Sequence, residues 1–233
     1  DDAGPVCEDT TNGALDPYGD GCEWYLSKPE DCGLYDDSDF IAEEMCCSCG
    51  GGDNGEGPPA MPKLVINEFD ADQDGADTME FVELYNPTDQ PVSIEGWVFK
   101  SINGSNSATV WEDVLETSGA TEIGPGGYLV IGQKAVLEQM PSDVPFIEVT
   151  GSLLQNGNEA ASLYMLDPSG EMLQLVDTVA WGAPLAGHVE QEPAPKGTDT
   201  TSVGRCPNGA DTDDNEADFI LMAPTPGEVN ICP

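Results

Sequence analysis

The chain has 233 residues, and its 45 Asp and Glu against six Lys and Arg give a formal charge of -39. Phosphate groups are held by clustered Lys and Arg, so nucleic acid and anionic membrane surfaces are poor partners, and no window approaches the ~18 apolar residues of a membrane span. Charge of one sign spread this widely repels itself and opposes close association unless salt or divalent cations relieve it.

The chain opens "DDAGPVC", with neither an initiator Met nor a hydrophobic leader. The simplest account is a secreted protein after signal-peptide removal, though an expression fragment would look the same. Eight cysteines, an even number, point to an oxidising, extracellular compartment. Six of them (Cys7, Cys22, Cys32, Cys46, Cys47, Cys49) fall within the first 49 residues. So short a stretch buries little core, and crosslinks must supply its stability. A cysteine-rich module over 1–49 is therefore expected. It carries the acidic runs "DPYGDG" and "YDDSDF", the latter with Asp36, Asp37 and Asp39 as candidate calcium ligands. Trp24 and Tyr25, with Trp111 further on, could stack on sugars or pack locally. Next comes "GGGDNGEGPPAMP" (50–62), whose Gly and Pro mark a linker.

From Lys63 onward short β-type runs alternate with turn signals: "KLVINEF", "EFVELYN", "VSIEGWVFK", "GGYLVIG", "FIEVTG", "AASLYML" and "LQLVDTVAW". They are rich in the β-branched and aromatic residues that fit a pleated surface. In "EFVELYN", Val82 and Leu84 alternate with Phe81, Glu83 and Tyr85, which predicts one face covered more deeply than the other. Only "GQKAVLEQM" (132–140) reads as helical. "PGG" and "DPSGE" supply turns, the latter a hairpin. Seven or so short strands predict a mainly β domain over 63–233, a β-sandwich.

Catalytic signals are sparse. The single His188 stands in a loop-like stretch with no His, Cys or Asp beside it. No nucleophile-elbow, zinc-protease or phosphate-loop motif appears. All cysteines have plausible disulfide partners, which disfavours a thiolate nucleophile and zinc alike. The acidic loops say more, because calcium is held by several hard oxygens on flexible backbone. "DADQDG" puts Asp70, Asp72 and Asp74 at EF-hand positions 1, 3 and 5, but position 12 is Phe81 instead of Glu and the flanks are strands. It is not an EF-hand. A different calcium loop completed by Asp77 or Glu80 competes with a polar turn. A second run, "NGADTDDNEADF", offers Asp211, Asp213, Asp214 and Asp218 as a weaker calcium set. Asn103 in "NGS" is the only N-glycosylation sequon.

The segment "VINEFDADQDGADTMEFVELYNPTDQPVSIEGWVF", followed by "IGPGGYLVIG", "LLQNGNEAASLYMLDPSGEMLQLVDTVAWG" and "SVGRCPNGADTDDNEADFILMAPTPGEVN", resembles lamin-tail domains. These are immunoglobulin-like sandwiches of nuclear lamins and of many secreted bacterial proteins. The resemblance covers about residues 63–231. It implies an immunoglobulin-like β-sandwich and favours a structural turn for the second acidic run; Trp97, whose indole can bury a large apolar area, is the candidate core anchor. More loosely, "CEDTTNG", "GCEWY" and "FIAEEMCCSCGGG" resemble the ShK-like toxin fold. That likeness implies the pairs Cys7–Cys49, Cys22–Cys46 and Cys32–Cys47, among the 15 connectivities six cysteines allow. Cys206 and Cys232 remain and most simply pair with each other, an intermolecular bridge being the alternative.

The expectation is a secreted, non-catalytic structural protein that self-associates into an extracellular filament or surface assembly stabilised by calcium. The alternative is a tethering module for surface glycans or surface proteins. Bacterial lamin-tail domains often accompany secreted hydrolases and nucleases, and that resemblance implies such a targeting role.

Overall fold

The computed structural model describes residues 7, 9–11, 13–37, 39–51, 63–166 and 173–232. Most of the expected linker (52–62) and the "DPSGE" turn lie outside them. The chain forms two compact units, Asp1–Met61 and Pro62–Pro233.

In the first unit two single-turn helices, α1 (Cys22–Tyr25) and α2 (Ala42–Met45), enclose a small core of Cys22, Tyr25, Phe40, Ala42 and Cys46. Its disulfides are Cys7–Cys47, Cys22–Cys46 and Cys32–Cys49. Only Cys22–Cys46 agrees with the pairing the toxin-like resemblance implies; the other two exchange partners. The cause is local. Thr10 N donates to Met45 O, and Cys47 N donates to Asp9 Oδ1, both at 2.9 Å. The incoming chain therefore runs along Met45–Cys47, which sets Cys7 beside Cys47. The helical turn over Cys47–Cys49 leaves Cys49 to Cys32.

The second unit is built from twelve strands among the described residues. In chain order they are β1 (Val65–Asp70), β2 (Phe81–Tyr85), β3 (Val92–Ser93), β4 (Trp97–Asn103), β5 (Thr109–Val114), β6 (Glu122–Ile123), β7 (Tyr128–Gln133), β8 (Phe146–Val149), β9 (Glu159–Leu166), β10 (Leu173–Trp181), β11 (Ser202–Arg205) and β12 (Phe219–Met222). A six-stranded sheet in the order β12-β11-β1-β2-β7-β8 faces a four-stranded sheet β10-β9-β4-β5, and β3 pairs with β6. All the pairs are antiparallel except β7 with β8. Each of the seven β-type runs in the sequence lies on a strand. The polar "TVWEDV" and the short "SVGR" and "FILM" also become strands, β5, β11 and β12.

Between the sheets Ile66, Val82, Leu84 and Ile131 meet Trp97, Phe99, Leu163 and Val179, all buried. Trp97, 1% exposed, is the core anchor its large indole suggests. A second indole shares that role: Trp181 stacks on Phe69 with ring centroids 4.4 Å apart. β2 departs from its alternating pattern, for both of its faces are covered. Phe81 packs with Val136 of α3 (Lys134–Leu137), the one helical turn within the stretch read as helical. Glu83 lies wholly buried under the C-terminal segment, its Oε2 accepting from Gly227 N at 2.6 Å. That segment is closed by the expected Cys206–Cys232 disulfide. No helix among the described residues is long and apolar enough to cross a membrane.

Candidate functional site

The loop from Asp70 to Glu80 connects the two central strands, as a polar strand-to-strand loop should. Its carboxylates are used locally. Asp70, at the end of β1 and 6% exposed, accepts at Oδ1 from Gln73 Nε2 (2.9 Å) and Asp72 N (3.3 Å). Asp72 Oδ1 accepts from Asn156 Nδ2, and Asp77 Oδ1 from Gln73 N. The Gln73 amide thus lies among the acids as a neutral donor and also accepts from Met79 N. Asp74 is exposed. Glu80 turns away and accepts from Leu153 N and Leu154 N, pinning the loop before β9. Asp70, Asp72, Asp74 and Asp77 do not converge: among the described residues three carboxylates meet within ligand distance elsewhere. Burial, with Asp72 and Asp77 nearby, pushes Asp70 up to about 6.

The place where acids do converge is a knot around Arg205, which is fully buried at the end of β11. Its guanidinium binds Asp177 Oδ1 on β10 at 2.9 Å, Asp218 Oδ2 at 2.8 Å and Asp211 Oδ1 at 3.2 Å. It also donates to the carbonyls of Ile66 and Ala210 and lies 4.5 Å from the centre of the Phe219 ring. Glu190 approaches at 3.9 Å, and Lys63 reaches Asp211 from outside at 2.6 Å. Two cations answer four acids. Burial and the neighbouring Asp177 and Asp211 push Glu190 up to about 8, so it keeps its proton at neutral pH. Asp177, Glu190 and Asp211 place one oxygen each within 4.8 Å of one another. That grouping has the form of a cation site, and the guanidinium is the cation it holds.

The second acidic run therefore divides by residue. Asp211 and Asp218 serve Arg205, Asp214 caps α4 (Asn215–Asp218) by accepting from Ala217 N, and Asp213 is exposed. This is the structural turn the resemblance favours. In the first unit Asp36 accepts from Ala42 N and Asp37 from the amides of Asp39 and Phe40, so they shape the entry to α2, while Asp39 contributes backbone. Asn103 ends β4 half-buried, its Nδ2 donating to Gln155, a bond a glycan would have to displace.

His188 is half-buried, and burial lowers its pKa. Its Nδ1 lies 3.0 Å from Ser162 Oγ, a Ser–His spacing that sequence separation concealed. Ser162 has no exposed surface and its hydroxyl also binds Thr178 Oγ1. No substrate carbonyl can reach it, so the pair is structural. Of the three candidate stacking residues, Tyr25 is buried and its hydroxyl donates to Asp16, while Trp111 packs beside Phe99. Trp24 stays 40% exposed and shares a hollow with Asp16, Tyr18, Asp20 and Tyr35. Tyr18, 77% exposed, meets Tyr35 edge to face at 5.4 Å. The sequence reading missed this pairing, since Tyr18 and Tyr35 come together only through the disulfide framework.

Comparison with known proteins gives one family. The sequence model of the Lamin Tail Domain family matches residues 58–183, more than half of the chain. No curated protein matches. Among solved structures, a DUF4876-family protein from Bacteroides thetaiotaomicron is similar over 73% of this chain and 72% of its own, at 12% identity and a TM-score of 0.44.

Proposed function

The chain belongs to the lamin tail domain family, and from that premise we propose that it is a secreted, non-catalytic structural subunit that assembles through the edges of its sandwich. One observation carries the reading. The two main sheets end in β12, β8, β10 and β5, and each of these strands exposes a large apolar side chain: Leu221 (43%), Phe146 (46%), Leu175 (44%) and Val114 (44%). An edge presents unpaired backbone donors and acceptors, and apolar residues on it favour pairing with another chain. Natural monomers usually guard such edges with charge; β12 carries none, while β5 and β8 set Glu112, Asp113 and Glu148 beside their apolar residues. Four disulfides within one chain suit an extracellular setting. Calcium enters the proposal as a partner of the whole charged surface, lowering the repulsion between copies.

The test is sedimentation velocity of the full chain in millimolar calcium and again with excess chelator, beside a Val114→Lys/Leu221→Lys double variant. Large species in calcium that dissolve on chelation and are lost in the variant are expected. A wild-type monomer under both conditions removes the assembly reading. A second reading, tethering to surface glycans, draws support from the Trp24, Tyr18 and Tyr35 hollow, where aromatic faces stand beside Asp20, a carboxylate that can accept from sugar hydroxyls.

A further inference from the structure

A cleft of about 710 Å³ opens on the second unit between the Asp70–Glu80 loop, the α3 turn and the C-terminal segment, within the size range of small-ligand sites. One part of its wall is apolar, formed by Met79, Phe81, Val136 and Met140 together with prolines, and Gln73, Gln139, Thr200 and Thr225 supply neutral polar groups. Its remaining charge is all of one sign, from Asp70, Asp74, Asp199 and Glu228, and no Lys or Arg is among the described lining residues.

Asp70 is the informative member. Its residue is more than nine-tenths buried and Oδ1 is engaged, while Oδ2 accepts no hydrogen bond among the described residues and keeps its contact with solvent at the cleft. A carboxylate oxygen that faces a cleft with only water to answer it is a ready acceptor for a charged donor. A hard divalent ion is a poor fit, since it seeks several oxygens around one point, and three carboxylates do not meet here. A neutral apolar ligand would fill the wall and bury the acid unanswered. An organic cation satisfies both halves of the cleft.

We propose that this cleft binds a primary ammonium group on an alkyl stem, the chemistry of a lysine side chain or a short diamine, with Asp70 Oδ2 receiving the ammonium and Met79, Phe81 and Met140 packing on the stem. The rim acids Asp74, Asp199 and Glu228 draw the cation in, and the stem adds area that a bare ion cannot use. This site is separate from the sheet edges proposed for assembly, so either can fail without the other.

Calorimetric titration of the full chain, in chelator and at physiological salt, tests it with three probes: Nα-acetyl-lysine-N-methylamide, cadaverine and Nα-acetyl-norleucine-N-methylamide. Saturable binding of a charged probe is expected, with none for the norleucine compound. Binding by the lysine amide alone identifies a polypeptide side chain as the source; binding by cadaverine alone identifies a free amine. Asp70→Asn should weaken binding about tenfold or more, the scale of one charge-assisted hydrogen bond. Met140→Gln, at a half-buried position at the margin of the small Phe81–Val130–Val136 cluster, should weaken it severalfold, and Glu95→Gln, at an exposed position outside the cleft lining, should leave it unchanged. Equal weakening by Asp70→Asn and Glu95→Gln would show attraction to overall charge and overturn the proposal. So would equal affinity for the norleucine compound, insensitivity to Met140→Gln, or no saturable binding.

Discussion

Arg205 holds a position that no hydrophobic side chain could take over without consequence. Its guanidinium reaches Asp177, Asp211 and Asp218, and Asp177 is itself fixed by accepting from Ile66 N of β1. Removing the cation strands these carboxylates in the interior, where the lost partner matters more than the lost bond. Arg205→Met should therefore lower stability by about 3–5 kcal/mol, the range for breaking one side of a buried ion pair, as read from urea unfolding. Glu159 makes the opposite case, a buried acid with no cation. Its Oε2 accepts from Gln155 N, and its Oε1 has no partner. Burial, with a smaller push from Glu80, raises its pKa from 4.5 to about 8. The sign follows from proton counting. Between those values the folded chain keeps a proton that the unfolded chain releases, so stability is greatest at the acid end and falls as pH rises towards about 8. Glu159→Gln cannot ionise and should flatten the decline between pH 5 and pH 8, leaving the part due to the other buried acids, Asp70, Glu190, Glu68, Glu80 and Glu83 among them. An unchanged decline, measured as urea midpoints at the two pH values, would sink this assignment.

The paired strands β1 and β2 show what an element's sequence conceals. Glu68 and Glu83 stand opposite each other and neither has exposed surface. Read alone, "NEF" and "VEL" place a charge on a solvent-facing side of each strand. The structure covers that side with the residues after β12. Glu68 accepts from Thr225 N and Oγ1, Glu83 accepts from Gly227 N and Asn67 Nδ2, and Asn230 donates to the carbonyls of Asn67 and Arg205. Burial pushes both carboxyls upward, Glu83 the further because Glu68 lies beside it. Their partners lie about 140 to 160 residues away in sequence, beyond any local pattern. Periodicity marks apolar faces; it cannot say that a polar face will be roofed by a distant loop. Glu83→Ala should release the Gly227 amide to rapid hydrogen exchange, while Glu83→Gln, which keeps an acceptor, should restore most of the protection. Equal protection in all three proteins would mean that the carboxylate does not hold the segment.

At the scale of the whole molecule, the readable part of the sequence was its texture. Seven apolar β-type runs marked eight strands and Trp97, and cysteine density marked the first unit. Four strands were missed because their local pattern is weak. β5 is half-exposed and carries Glu112 and Asp113, while β6 has two residues and β11 and β12 four each, too short to show a period. The acidic loops looked alike in sequence because carboxylates are the same letters whether they cap a turn, neutralise an arginine or face water. What told them apart was the position of one neutral amide, Gln73, and one cation, Arg205.

The closure of the C-terminal segment also governs how this unit would answer a pull. β1 and β11 run antiparallel, with Glu68 opposite Gly204, so the beginning of β1 and the end of β11 lie at one end of the sheet. Tension applied between Lys63 and Cys232 crosses the disulfide to Cys206 and arrives at that same end. The loop from Pro207 to Ile231, β12 included, carries none of it, and the four-stranded sheet lies off the line of force. Strands gripped at adjacent ends peel apart one bond at a time instead of sliding together. The fastening at that point is the Arg205 knot, whose Nε donates to Ile66 O at 2.9 Å. Under such tension it would be the first stitch tested, with the rest of the sandwich still folded behind it.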